Sequence, residues 1–188
     1  HEPFCGGSAF FLRLWADGRL KRFQTLAKAG ETRLRLEDTD DPGLDRAKGP
    51  YAFLSDTNPD LVGGMRVLRD DPDGLMDMLL FFYKAAGKSV EKLYPWVRDT
   101  FVPKTDAERA ARFFFLNFHA FNAIWRTDRN GKFNVPLAKD RVHKHPDVGN
   151  LFRVSAALQR VQFHLGDYSD ALQMAASGDL VYADPPFD

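Results

Sequence analysis

Several features that mark particular protein classes are scarce or missing in this sequence. Its single cysteine, Cys5, excludes an internal disulfide and any zinc site built from cysteines, and it suits a reducing cytoplasm. No apolar run is long enough to cross a membrane, and there is no basic-then-apolar leader. Twenty-six basic residues balance 26 acidic ones, so net charge does not indicate nucleic-acid binding. We therefore expect no metal site, no membrane segment and a cytoplasmic location.

What the 188-residue sequence does contain is typical of an α/β domain with a core, with 44% hydrophobic and 28% charged residues. Three short apolar runs predict buried parallel strands, at 51–55, 161–165 and 180–183. Helical patterns lie between and around them, beginning at Pro59 and covering 107–118, 147–159 and 169–176. Alternating strands and helices predict a parallel sheet.

Each predicted strand is followed by a carboxylate, at Asp56, Asp167 and Asp184. In a parallel sheet these three residues would share the carboxyl edge, where ligands bind. Singly, each is more typical of a helix cap, but together they favour a site. Residues 17–50 are polar and rich in acids and helix breakers, so we interpret them as an insertion loop.

The sharpest chemical motif is Asp184-Pro185-Pro186-Phe187. An amine on a nucleobase must become more tetrahedral before it attacks a methyl group, and acceptors on its two hydrogens favour that change. The Asp184 carboxylate and the Pro185 carbonyl are two such acceptors, and Phe187 can stack on an extruded base. The tetrapeptide alone fits an ordinary strand followed by a Pro-Pro turn equally well.

Two further stretches carry weaker signals. The first is Glu2-Pro3-Phe4-Cys5-Gly6-Gly7, where paired glycines allow a close backbone approach to a ligand and Glu2 could hold a cationic amino group. The alternative is a tight turn between a strand and a helix.

The second stretch, Asn117 to Pro136, mixes aromatics, amides and cations. It can present Arg126 to guanine and Ile124 to a thymine methyl, or it can be a structural loop held by Asn122 and Asn134. From Arg126 to His145 there are six Lys or Arg against two Asp, a patch that can follow a phosphate backbone, although its charge alone is more typical of a solvated basic loop.

Taken in order, these stretches resemble the Dam-type (D12 class) adenine-specific DNA methyltransferases. Residues 2–7 resemble the family's (D/E)-P-F-x-G cofactor loop, and 55–61 resemble its D-x-N-x-x-L block. Residues 117–136 follow N-x-x-x-F-N-x-x-x-R and then G-x-F-N-V-P, whereas 184–187 resemble D-P-P-Y.

The resemblance implies methyl transfer from S-adenosylmethionine to the N6 amine of adenine in double-stranded DNA, in a setting such as restriction–modification. Catalysis would fall to Asp184, Pro185, Pro186 and Phe187. The cofactor would be bound by Glu2, Pro3, Phe4, Gly6, Gly7, Asp56, Asp167 and Tyr168. DNA would be contacted by Asn122, Ile124, Arg126, Arg129, Lys132, Asn134, Pro136 and Lys139.

The implied fold is a Rossmann-like methyltransferase sheet with an inserted, mostly helical DNA-recognition region. We expect the cofactor-binding and catalytic core in residues 1–72 and 145–188, with recognition in 73–144. Compared with the family pattern, the first strand and the later strands are missing, so we expect a sheet that is incomplete at both ends. The sequence does not indicate an oligomeric state.

Some positions depart from the family pattern. Phe187 replaces Tyr, Asp128 stands where Asn is usual, and Leu137-Ala138 replaces Phe-Gly. The spacer between Gly7 and Asp56 is also longer than the family normally shows. These departures and the missing ends leave a second hypothesis open: a DNA-binding relative without turnover. A third is methylation of the cytosine amine or of RNA.

Overall fold

The computed structural model describes residues 2–3, 12, 52–87, 89–143, 148–177 and 179–183. It divides into two compact units, which we name the sheet unit (His1–Val62 with Ala156–Asp188) and the helical unit (Gly63–Ser155). The fold is mixed α/β, as predicted. In chain order the elements are β1 (Glu2–Pro3), β2 (Ala52–Asp56), α1 (Pro59–Asp70), α2 (Pro72–Ala86), α3 (Leu93–Asp99), α4 (Asp106–His119), α5 (Val148–Leu158), β3 (Val161–Leu165) and α6 (Tyr168–Gln173).

The sheet unit is built on a parallel sheet with the order β1-β2-β3. Glu2 pairs with Leu54 at one side of β2, and Ala52 pairs with Val161 at the other side. The central strand β2 has a strand on each side, and its Leu54 is only 1% exposed. The predicted strands at 51–55 and 161–165 are confirmed within a residue.

The predicted strand at 180–183 is wrong, because these residues form neither strand nor helix. Leu180 and Val181 are each more than a third exposed, so this run lacks the burial that a nearly continuous apolar strand requires. The short apolar run matches a strand in composition, but composition does not specify which neighbour would cover it.

Helix starts follow local capping signals. Asn58 Oδ1 accepts the backbone N–H groups of Asp60 (3.0 Å) and Leu61 (3.3 Å), which starts α1. Helix α4 begins with a capping box: Thr105 Oγ1 accepts from the Glu108 N–H, and the Glu108 carboxylate accepts from the Thr105 N–H.

The helical unit has an aromatic core at the junction of α2, α3 and α4. The Phe115 ring lies at its centre, 5.4 Å from the Phe82 ring centroid and 6.4 Å from that of Tyr94. All three residues are at most 1% exposed. Aromatic burial on this scale is a large contribution to stability, and it gives α3 a defined position on α4.

The chain turns back on itself between residues 120 and 138, a segment that we name the 120–138 hairpin. Antiparallel bridges pair Ala120 with Leu137 and Thr127 with Phe133. Its inner side is held by Trp125, whose ring lies 4.3 Å from Phe133 and 4.7 Å from Phe113. The hairpin therefore rests on α4 through a stack of aromatic rings.

Among the residues that the structure describes, no helix combines the length and apolar character needed to cross a membrane.

Candidate functional site

The first candidate site is the carboxyl edge of the parallel sheet. Pro3 is paired with Ser55, and Asp56 with Leu165, so the three strands end side by side. The loops beyond β2 and β3 are also joined directly, because the Gly166 N–H donates to the Asp56 carbonyl at 3.1 Å. The structure thus brings Asp56, Asp167 and the end of β1 to one edge of the sheet unit, where parallel sheets bind ligands.

Asp56 closes the turn between β2 and α1. Its Oδ1 accepts the Asn58 N–H at 2.9 Å, and the side chain is half-buried. A carboxylate held in this way is oriented by its own backbone. It is therefore placed at the strand end in a defined rotamer, as a carboxylate that recognises paired hydroxyls needs to be.

Asp167 caps helix α6. Its Oδ1 accepts the Ser169 N–H at 2.9 Å. Hydrogen bonds from the Ser169 side chain and backbone lower the pKa of Asp167 below its usual range. Asp167 therefore serves as a helix cap, which is one of the two roles that its position after a strand indicated. The next residue, Tyr168, is 48% exposed. A ligand role for the pair stays a prediction.

The turn before Asp167 is tight. A Cβ on Gly166 would lie 2.4 Å from His164 Nε2 and 3.2 Å from Asp170 Oδ2. No larger residue fits there without moving the His164 ring. Glycine at 166 thus lets the chain pass directly from β3 into the Asp167 cap.

The structure describes only part of the predicted cofactor loop and none of the predicted catalytic motif. Glu2 and Pro3 form β1. Phe4, Gly6 and Gly7 lie outside the described residues, as do Asp184, Pro185, Pro186 and Phe187. Their assigned roles stay predictions.

The second candidate site is the outer side of the 120–138 hairpin and the turn after it. All eight predicted DNA-contacting residues are exposed there: Asn122, Ile124, Arg126, Arg129, Lys132, Asn134, Pro136 and Lys139. They alternate with residues of the inner side, where Phe133 and Val135 are at most 3% exposed. This period of two presents one face to solvent and one to the core.

The exposed cation and amide of this face are coupled. Arg126 Nε donates to Asn134 Oδ1 at 2.9 Å, while the Asn134 N–H donates to the Arg126 carbonyl at 3.1 Å. The guanidinium is thereby aligned along the hairpin instead of sampling many rotamers. A pre-oriented guanidinium has the fork geometry that recognises two acceptors of a guanine edge.

The start of the hairpin carries backbone strain. Asn122 and Ala123 both have φ of 54°, in the left-handed region that residues with a Cβ rarely adopt. Asparagine tolerates this conformation better than alanine does. Strain of this kind is often found at functional sites, and here it lies between the exposed Phe121 and Ile124.

Helix α3 lies against the hairpin, although no sequence motif indicated a role for this helix. The Tyr94 hydroxyl donates to the Val135 carbonyl at 3.1 Å, and Lys132 Nζ lies 3.4 Å from Asp99 Oδ1. Arg98, in turn, pairs with Asp99 at 2.8 Å. Arg98 first, and Lys132 in addition, lower the pKa of Asp99. No local sequence signal could reveal the contacts of Tyr94 with Val135 and of Asp99 with Lys132, because these partners are far apart along the chain.

No cluster of three or more His, Cys, Asp or Glu suited to a metal ion occurs among the residues that the structure describes.

An α/β sheet with carboxylates at its carboxyl edge, accompanied by an exposed hairpin of amides and cations, suits an enzyme that acts on nucleic acid. The family model of the D12 class N6 adenine-specific DNA methyltransferases matches residues 45–188. The match covers most of the chain, and the chain belongs to this family.

Particular relatives carry names of the same kind. The type II methyltransferase M.MjaIII of Methanocaldococcus jannaschii is 32% identical over 143 residues, which cover 72% of this chain and 50% of that protein. The DNA N-6-adenine-methyltransferase of Escherichia phage P1 is 30% identical over 138 residues, 72% of this chain and 18% of the phage protein. The type II methyltransferase M1.LlaDCHI of Lactococcus lactis subsp. cremoris is 29% identical over 140 residues, which cover 72% of this chain and 49% of that protein. The chain thus spans about half the length, or less, of these relatives.

Proposed function

We propose that this chain is part of an S-adenosylmethionine-dependent methyltransferase that modifies the N6 amine of adenine in double-stranded DNA. The observation that carries the proposal is the family match over residues 45–188, which includes Asp56, the 120–138 hairpin and the Asp184–Phe187 motif. The phage P1 relative, which is named as a DNA N-6-adenine-methyltransferase, supports the same substrate. The geometry adds two surfaces that such an enzyme needs.

In this proposal the sheet unit binds the cofactor, and its three described strands belong to a Rossmann-like methyltransferase sheet. The described residues fit S-adenosylmethionine in their chemistry. Asp56, held by the Asn58 N–H, is an acceptor suited to the ribose hydroxyls. The exposed ring of Tyr168 offers a face for the adenine of the cofactor.

The helical unit carries DNA recognition in this proposal. Arg126, aligned by Asn134, contacts a base that flanks the target adenine, and Ile124 and Pro136 supply apolar contacts beside it. Lys139 and Arg129 at the rim contact phosphates, which position the protein without reading sequence.

Chemistry falls to the Asp184–Phe187 motif. The target adenine is turned out of the duplex and stacks on Phe187. Asp184 and the Pro185 carbonyl accept the two N–H groups of the amine, which turns its lone pair out of the ring toward the methyl group. S-adenosylmethionine, when bound, supplies that methyl group on a positively charged sulfur. The methyl group would pass to the amine held by Asp184 and Pro185, the sulfur would leave as a neutral thioether, and the amine would then lose a proton to solvent, so that no base would be needed beforehand.

The test uses the full-length protein, duplex DNA of mixed sequence and radiolabelled S-adenosylmethionine. We expect the label in N6-methyladenine when the nucleosides are separated and then identified by mass spectrometry. Asp184→Ala should abolish incorporation and leave cofactor affinity unchanged, because the carboxylate contacts the amine and not the cofactor. The control variant is Asp77→Ala, which removes an exposed carboxylate on α2.

Other outcomes separate the alternatives. Label in a cytosine derivative, or in RNA only, would replace the proposed substrate. Salt-dependent DNA binding without incorporation by the unmodified protein would show a binding relative. Full activity in Asp184→Ala would refute the role of Asp184.

A further inference from the structure

We infer that Tyr94 is a positioning residue for base recognition, because it fixes the strand of the 120–138 hairpin that presents Asn134 and Pro136. The inference rests on the proposed function, since it deepens the role of that hairpin in DNA recognition.

The contact that carries the inference joins residues 41 positions apart. The Tyr94 hydroxyl donates to the Val135 carbonyl at 3.1 Å, and Arg98 Nη1 approaches the same oxygen at 3.5 Å. This carbonyl belongs to the peptide bond between Val135 and Pro136. Because proline has no N–H, that peptide bond can be anchored only through its carbonyl oxygen. Helix α3 therefore holds the hairpin at the one polar group that this peptide offers.

The anchor is rigid on the helix side. Tyr94 is 1% exposed, and burial raises the pKa of its hydroxyl to about 12. The helix is tied to α4 by Arg112, which donates to the Val97 carbonyl (3.1 Å) and to the Arg98 carbonyl (2.9 Å). The position of α4 is thus transmitted through α3 to Val135.

The neighbours of Val135 connect this anchor to recognition. Asn134 aligns Arg126 by accepting its Nε–H, and Pro136 accepts the Phe121 N–H at 2.9 Å. Both residues are exposed, whereas Val135 between them is 3% exposed. A strand that shifts by a fraction of an ångström misaligns the Arg126 fork, while contacts to phosphates adapt more readily. Loss of the Tyr94 hydroxyl should therefore lower discrimination between bases more than overall affinity.

The experiment compares Tyr94→Phe with Tyr83→Phe in the full-length protein. Each variant removes one phenolic oxygen from a tyrosine of the helical unit whose ring lies near Phe115, and it is the Tyr94 hydroxyl that donates to the Val135 carbonyl. Methylation of a duplex library with randomised bases around adenine gives the preferred flanking sequence and the preference ratio. We expect Tyr94→Phe to lower that ratio by about fivefold, the effect of one net hydrogen bond. Tyr83→Phe should leave it unchanged.

A second readout does not depend on methylation. Hydrogen exchange measures the opening of the hairpin amides, among them Phe121 and Asn134, relative to the amides of α4. We expect Tyr94→Phe to speed exchange in the hairpin alone.

The outcomes are distinct. An unchanged preference ratio or unchanged hairpin exchange in Tyr94→Phe overturns the inference, and so does an equal effect of Tyr83→Phe. If the unmodified protein methylates no DNA, the proposed function fails, and the exchange result alone then decides whether Tyr94 positions the hairpin.

Discussion

At the scale of the residue, Asp128 departs from the family pattern and also makes hydrogen bonds that the structure shows. The family pattern usually has Asn there. In the structure Asp128 Oδ1 accepts the N–H groups of Asn130 (2.8 Å) and Lys132 (3.0 Å), which closes the turn of the hairpin. An asparagine side-chain oxygen can accept the same two donors. The two residue types therefore do the same structural work and differ in charge beside the proposed DNA surface.

This comparison gives a prediction with a matched pair of variants. Asp128→Asn should keep the free energy of unfolding within about 0.5 kcal/mol and strengthen DNA binding at low salt, since it removes a negative charge. Asp128→Ala should lower the free energy of unfolding by about 1–2 kcal/mol, because two backbone N–H groups lose their acceptor. Urea denaturation and a binding titration measure both effects. Equal stability of the two variants would contradict the turn-closing role.

At the scale of the element, helix α3 supplies a carboxylate that pairs with a cation of the hairpin. Asp99, in the last turn of α3, pairs with Arg98 and with Lys132. Because Arg98 and Lys132 hold the pKa of Asp99 below its usual range, the carboxylate is ionised and the pairing is fully present at any pH above that range. It is lost only as the pH falls through the lowered pKa. The pairing should therefore stay constant from about pH 5 to 8.

Removing this carboxylate should release Lys132 toward the phosphates. We expect Asp99→Asn to steepen the dependence of log affinity on log salt by up to about 1, the contribution of one additional phosphate contact. Asp77→Asn changes net charge equally on α2 and serves as the control. Titrations at several salt concentrations measure the slope, and an identical slope in both variants would show that Lys132 was already available to DNA.

The elements also show what sequence can and cannot predict. The starts of α1 and α4 were predicted within a residue, because a helix cap involves residues only two or three apart along the chain. The run at 180–183 was misassigned because burial depends on a neighbouring strand, which local composition does not contain. The Tyr94–Val135 contact spans 41 residues and leaves no local signal. At the candidate site, the exposed side of the hairpin was named from the resemblance, and the structure shows each of those side chains at the surface.

At the scale of the whole molecule, the division into a sheet unit and a helical unit suggests that cofactor binding and base recognition can be impaired separately. Asp56 belongs to the first unit, and Arg126 belongs to the second. Asp56→Asn keeps an oxygen for the Asn58 N–H, but it replaces the carboxylate that, in the proposed function, accepts the ribose hydroxyls. It should lower cofactor affinity about tenfold or more and leave DNA binding unchanged. Arg126→Ala should lower discrimination at one flanking base by about tenfold and leave cofactor affinity unchanged.

Two binding measurements decide this prediction, calorimetry with S-adenosylmethionine and competition between DNA duplexes that differ at one base. Arg109→Ala removes an exposed guanidinium from α4, in the same unit as Arg126, and controls for a general loss of positive charge. Each variant replaces one side chain and preserves the packed core of its unit. A change in the affinity for the ligand of the other unit would therefore not be caused by unfolding. If Asp56→Asn weakened discrimination, or Arg126→Ala weakened cofactor binding, the two functions would be coupled across the molecule instead of divided between its units.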